Sequence, residues 1–350
     1  MSIEMQKNKI AILTLTAQSY EQGQRLKERF IEADVSLFGL EKHVTVQMDS
    51  YPGGSFKKGF QHVFNTFDSM ICIMATGIVV RHLASLIDDK RHDPAVVVMD
   101  EKANFSISLL SGHIGGGNDL AIQVANLMGA QPVITTATDV QNVSAIDVIS
   151  QQMNGWYADF KETTKTVNGL LAAHKNVGLI DEEQLVKDTR GLNRNVSLDD
   201  DVSDYEAVIL VSHKKFTSLP NHVYQLVPRQ FILGMGAKKE TSIETIETEY
   251  RSFCKLEKIH PMCVKKIVSI DLKKNEAGMI TFSNRLNVPF ETFTKEQLEP
   301  SSLKYPQSDF VKSVVGIGNV ALASADYATN GQVLTNRYGH NGVTFALGKE

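Results

Sequence analysis

The strongest constraint on this chain is the alternation, over its first 150 residues, of short β-rich runs with amphipathic segments. That pattern builds a parallel sheet flanked by helices. Strands are expected at Ile10 to Thr16, Val44 to Met48, Met70 to Ala75, Ala95 to Met99 and Pro132 to Thr136. Helices are expected at Ser19 to Ala33, Phe56 to Thr66, Gly77 to Leu86 and Asn118 to Met128. In the last of these, Leu120, Val124, Leu127 and Met128 fall on one face, which then packs on the sheet.

The alternation is not continued evenly. From Asp147 to about Pro228 the pattern is less regular, and the polar run Asp181 to Asp204 is expected to be a mobile surface segment. The strand-like Ala207 to Ser212 argues against a mere linker. The α/β pattern restarts with a strand at Phe231 to Gly234 and a helix capped by Thr241 or Ser242 and running through Cys254. Strands near Lys266 to Asp271 and Val343 to Ala346 complete it. A chain of 350 residues also exceeds what one core serves, since cores stop growing near ~250 to 300 residues. The expected fold class is therefore multidomain α/β: an N-terminal parallel-sheet domain over 1–146, a small middle domain over 147–228 and a C-terminal α/β domain over 229–350.

Ser111-Gly112-His113-Ile114-Gly115-Gly116-Gly117-Asn118-Asp119 is the densest chemical signal, lying between the apolar run Ile107 to Leu110 and a helix. Glycines let backbone N–H groups approach a ligand, and a helix N-terminus favours anions, so the loop is a candidate cradle for carboxylate or phosphate. The alternative is a tight turn with Asn118 as helix cap. His113 adds a group able to act as acid or base near neutral pH.

Thr76 and Gly77 are placed at the carboxyl end of a strand, where open parallel sheets bind ligands, with Arg81 and His82 one turn on. Lys90, Arg91, His92 and Lys102 add charge nearby, together a candidate basic rim, although each alone is expected to be solvent-exposed. Thr135-Thr136-Ala137-Thr138-Asp139 follows another strand and either lines a site or caps a helix. Gly234-Met235-Gly236 resembles the opening of a dinucleotide fold, but Lys239 occupies the third glycine's place, so no nicotinamide cofactor is expected. Gly316 and Gly318, before Asn319, are expected to start a small-residue helix at a ligand rim.

Absences narrow the field further. The chain has no GxxxxGK[ST] loop, HExxH helix, CxxC pair or GxSxG elbow. Cys72, Cys254 and Cys263 show no redox or metal spacing and are expected to be free thiols in a reducing compartment. No signal peptide and no apolar stretch of ~20 residues is evident, so a cytoplasmic protein without a membrane partner is expected. A formal charge of −4 argues against nucleic acid, and any basic site must be local.

Four segments in order, Met74 to Arg81, Asp93 to Glu101, Ser108 to Gly116 and Pro132 to Asp139, closely resemble the CbiG family of cobalt-precorrin-5A hydrolases in anaerobic cobalamin synthesis. Gly234 to Ser242, Val268 to Lys273 and Val314 to Ala325 look like that family's C-terminal domain. Gly117 stands where a small residue such as alanine is expected, and Leu322 where an acidic residue is common. The resemblance implies opening of a δ-lactone on a cobalt-corrinoid precursor, with loss of two carbons as acetaldehyde. The macrocycle's acetates and propionates would meet Arg81, Lys102, Thr76, Gly77, Thr136, Thr138 and the loop residues Ser111, Gly112, Gly115, Gly116, Gly117 and Asn118. His113 is the expected base, the N–H groups of Gly115 to Gly117 the oxyanion donors, and Asp139 or Glu101 the group that orients the imidazole or acts instead. Cobalt belongs to the substrate, so no protein cofactor or metal site is expected. A non-catalytic corrinoid carrier, transient contact with other corrin-pathway enzymes and a homo-oligomer stay open, and a nucleotide-dependent transferase ranks last.

Overall fold

The computed structural model describes residues 8–31, 33–89, 92–113 and 115–349. The chain divides into two compact units, residues 1–143 and 144–350.

In the first unit the elements are β1 (Lys9–Thr14), α1 (Ala17–Arg29), β2 (Asp34–Phe38), α2 (Phe56–Thr66), β3 (Ser69–Ile73), α3 (Thr76–Leu83), β4 (Ala95–Met99), β5 (Phe105–Leu110), α4 (Gly117–Met128), β6 (Gln131–Val133) and α5 (Ala137–Val140). They form a six-stranded sheet in the order β2-β1-β3-β4-β5-β6. Strands β3 and β4 are buried along their whole length and apolar throughout except at Ser69, as strands covered on both faces must be. One face packs Ile12, Ile71 and Val97 against Leu26, Leu120 and Val124. The other packs Leu13, Cys72 and Val98 against Phe60, Val63 and Val79.

The strand beside β1 is Asp34–Phe38, not Val44 to Met48. Leu37 is buried there against α1 at Gly23, whereas Val46 and Met48 are 49% and 89% exposed. Only one strand can fill that edge, and the one that buries a leucine does. The sheet is also not parallel throughout: β2, β1, β3 and β4 run together, but β5 pairs antiparallel with β4. Only Asp100 to Asn104 joins these strands, and a parallel crossover needs about a dozen residues. The Asp100 carboxylate closes the turn by accepting from the N–H groups of Lys102, Asn104 and Phe105 at 2.8–2.9 Å.

The second unit holds two sheets. After α6 (Ile146–Gln152) and α7 (Phe160–Ala172) come β7 (Val177–Asp181), β8 (Leu192–Asn193), β9 (Ala207–Val211) and β10 (Val223–Leu226), parallel in the order β10-β9-β7-β8. The polar run 181–204 thus contributes a strand of its own. Then follow β11 (Phe231–Ala237), α8 (Ile243–Leu256), β12 (Val264–Ile270), α9 (Ala277–Leu286), β13 (Phe290–Phe293), α10 (Lys295–Ser302), α11 (Asp309–Val315), α12 (Ala321–Ala328), β14 (Tyr338–His340) and β15 (Val343–Lys349). Their sheet has the order β13-β12-β11-β15-β14.

Gly234 and Gly236 lie inside β11, not in a ligand loop. A Cβ on Gly234 would stand 2.0 Å from the Ala321 carbonyl oxygen, so the glycine is there to seat the alanine-rich α12 on the strand. All three cysteines are free and buried, and burial pushes Cys254 up to about 12, far from a reactive thiolate.

Candidate active site

The glycine loop leaves β5 and enters α4. Ser111 adopts φ +54° and its hydroxyl donates to the Asp93 carbonyl at 3.0 Å, fastening the loop beside the start of β4. Gly116, at φ +79°, is the N-cap of α4, a backbone shape that strains any side chain. The N–H groups of Gly116, Gly117 and Asn118 donate to the carbonyls of His113, Ser111 and Gly112 at 2.9–3.0 Å. The expected anion cradle is therefore closed by the loop's own carbonyls. Of the three proposed oxyanion donors, only the Gly115 N–H has no partner among the described residues. Gly117 is also not interchangeable with alanine, because a Cβ would lie 2.7 Å from the Leu110 oxygen.

What the loop does instead is carry His113 to the end of β6. Its Nε2 stands 2.9 Å from Asp139 Oδ2 and 2.9 Å from Thr138 Oγ1. A carboxylate facing Nε2 favours the tautomer with the proton there, which leaves the lone pair on Nδ1. Asn118 is not the helix cap. It is buried, and its Nδ2 donates to Asp139 Oδ2 at 2.7 Å and to Thr136 Oγ1 at 3.0 Å. Its Oδ1 is enclosed without a hydrogen-bond partner among the described residues. The His113 side chain is 15% exposed and that of Asp139 36%, so the pair opens to solvent on the carboxylate side.

Thr76, Gly77, Glu101 and Lys102 are not part of this cluster. They follow the carboxyl ends of β3 and β4, whereas the reversed β5 sets its own carboxyl end, Leu110, opposite Val96. About five residues of β4 direction separate Glu101 from that register, roughly 17 Å at ~3.3 Å per residue. Glu101 accepts instead from Thr16 Oγ1 at 2.5 Å, so it does not orient His113. Thr16, Thr76 and Gly77 flank the point where the order β2-β1-β3 reverses, the usual ligand crevice of an open sheet. Thr16, taken from the sequence as the last residue of the first strand, instead lies beyond its end at Thr14 and caps α1. Arg81 and Lys102 are exposed, and His82 is structural: Nδ1 meets the Ile78 carbonyl at 2.9 Å and the ring packs on Phe56 and Phe60. His92 is exposed, while Lys90 and Arg91 lie outside the described residues.

The second unit holds a cavity of about 490 Å³ between the end of β11, α11 and the β14–β15 hairpin. Lys238, Lys239, Lys273 and Arg337 line it beside Phe310 and Val314. Of the residues picked out in the sequence, Asn319 lies in this wall, and Gly316 ends α11 at φ +81°.

Residues 58–139 match the family described as cobalamin synthesis G N-terminal, residues 144–228 the cobalamin biosynthesis central region, and residues 231–348 the cobalamin synthesis G C-terminus. A cobalt-precorrin-5A hydrolase of Salmonella typhimurium is 39% identical over 303 residues, covering 84% of this chain and 86% of its own. One from Priestia megaterium is 30% identical, covering 91% and 89%. The crystal structure of a cobalamin biosynthesis protein G homolog from Sulfolobus solfataricus aligns over 97% of both chains with a TM-score of 0.42 and 17% identity. By identity across most of its length and by all three matched regions, the chain belongs to the CbiG family of cobalamin synthesis.

Proposed function

We propose that this protein is a cobalt-precorrin-5A hydrolase, which opens the δ-lactone of cobalt-precorrin-5A with water and releases acetaldehyde, leaving cobalt-precorrin-5B. The observation that carries this reading is the 39% identity, over 84% of the chain, to a relative of that name. The His113–Asp139 pair supplies what the chemistry needs.

Water must lose a proton as its oxygen adds to the lactone carbonyl, and His113 Nδ1 is the base. Asp139 stabilises the resulting imidazolium through Nε2–H, at the 2.9 Å separation observed. The Gly115 N–H is the donor left to hold the developing oxyanion. Collapse breaks the acyl–oxygen bond and gives a carboxylate and an alcohol. When the alcohol's O–H proton is removed, its C–O bond becomes the carbonyl of acetaldehyde. The carbon–carbon bond to the macrocycle breaks in the same step, and the macrocycle keeps that electron pair. One water is consumed overall. Cobalt travels with the substrate, and no protein cofactor enters the scheme. No described helix is long and apolar enough to cross a membrane, which suits work in the cytoplasm on a free small molecule.

The test is anaerobic incubation with cobalt-precorrin-5A and measurement of acetaldehyde. Release by the parent protein supports the reading. Binding of the macrocycle with no acetaldehyde would replace it with a carrier.

A further inference from the structure

We infer that the cavity in the second unit is a recognition site for a flat macrocycle edged with carboxylates, built from residues other than those of the His113 loop. The choice of ligand rests on the corrinoid reading above; the site itself rests on its chemistry. The protein carries a formal charge of −4, yet this one cavity is lined by Lys238, Lys239, Lys273 and Arg337 with no Asp or Glu among its lining residues. Lys239 and Lys273 are engaged by Glu240 at 3.5 Å and Glu276 at 2.9 Å. Lys238 and Arg337 have no ion-pair partner among the described residues, so their charge is available to a ligand.

Cations alone would suit any anion. The apolar wall narrows the choice, because Phe310 and Val314, one helical turn apart on α11, are 69% and 64% exposed and face this space. A ligand with an apolar body and an anionic rim satisfies both surfaces at once; a compact phosphate leaves the phenyl ring and valine in water. At about 490 Å³ the cavity is in the usual range for small-molecule sites and, being open, receives one edge of a larger ring.

The walls are also held in place. The Lys238 N–H donates to the Gly342 carbonyl at 2.9 Å, which ties β11 to the hairpin. Behind the hairpin, buried Glu249 accepts from the Tyr338 hydroxyl at 2.6 Å and Asn341 Nδ2 at 2.7 Å.

Uroporphyrin, a stable flat ring edged with acetates and propionates, is the probe, titrated by fluorescence against the full-length protein. Changing Lys238 and Arg337 together to alanine is expected to weaken binding by about tenfold or more. Phe310→Ser should weaken it severalfold, and His113→Ala should leave it unchanged. Cyanocobalamin, whose edge is amidated, should bind at least about tenfold more weakly than uroporphyrin. An unchanged Kd in the double variant with a native circular dichroism spectrum overturns the inference, as does equal binding of ATP at the same residues. Acetaldehyde release, measured on the same samples, separates the two readings. A parent that binds through Lys238 and Arg337 but releases none defeats the hydrolase while the cavity assignment stands. A parent that releases acetaldehyde, with a double variant unchanged in both KM and Kd, defeats the cavity assignment alone.

Discussion

His113 and Asp139 lie 26 positions apart in the chain, and it is the turn of β6 into α5 that sets their atoms 2.9 Å apart. Replacing His113 with alanine is expected to lower kcat for acetaldehyde release by ~10²–10⁴, the range general acid–base groups contribute. Asp139→Asn should cost less, because the base survives but loses its orienting charge, and the measured split is a fall in kcat with KM nearly constant. Asn118 offers a separate check. Its amide is the clamp on Asp139 and Thr136, so Asn118→Leu leaves both without that donor and should cost ~1–3 kcal/mol in urea unfolding as well as activity. Of these residues, His113 was legible in the sequence because a histidine among glycines is a chemical signal in itself. The loss of the oxyanion donors was not, since which carbonyl takes the Gly116 and Gly117 N–H groups depends on how the loop folds back over Ser111. Asn118 was read as a substrate contact, with a helix cap as the alternative; the neighbouring Thr136 and Asp139 draw its side chain away from the cap.

At the scale of elements, the reversal of β5 decides which residues can share a site, and the sequence did contain it. Five residues between Met99 and Phe105 permit a hairpin but no crossover, and Asp100 is the residue that closes it. Asp100→Ala removes acceptors from three backbone N–H groups and should lower stability by ~1–3 kcal/mol, read as a shift in urea midpoint at constant slope. The Asn341-Gly342 turn was equally legible: two positive φ values, +45° and +80°, make the two-residue connection of β14 to β15. What no local pattern reveals is the brace behind it. The Tyr338 hydroxyl, with Asn341 and His340, holds the Glu249 carboxyl below its usual value against the opposing effect of burial. A carboxyl depressed in the folded state contributes stability above its unfolded pKa of ~4.3 and loses it as pH falls through the folded value. The parent should therefore lose more stability between pH 5 and pH 3 than Glu249→Gln does, and uroporphyrin binding should weaken over the same interval more in the parent. Equal pH slopes in both proteins would remove Glu249 from that role.

For the whole molecule, the multidomain α/β class follows from periodicity and chain length, while the grouping of its parts does not. Runs such as Ala207 to Val211 and Phe231 to Ala237 announce strands, yet nothing in them tells that residues 144–350 gather two sheets into one compact unit. Within that unit the backbone of Trp156 exchanges hydrogen bonds with Val227, and its indole packs with the core of the five-stranded sheet. Arg229 donates to the carbonyls of Leu286 and Asn287. Trp156 and Val227 of the middle region thus complete the core of the C-terminal sheet, so cutting near residue 228 should expose apolar surface. We expect a fragment beginning at Ser144 to be soluble, to unfold in one cooperative transition, and to keep the parent's affinity for uroporphyrin. It should release no acetaldehyde, because His113 and Asp139 are absent. A fragment beginning at Arg229 should aggregate or bind an apolar dye, as an incomplete core does. If the Arg229 fragment instead unfolds cooperatively and binds the porphyrin, the middle region is an independent domain and the three-part division at 146 and 228 is the physical one. If the Ser144 fragment fails to fold, the second unit depends on the first, and the cavity must be studied only in the full chain.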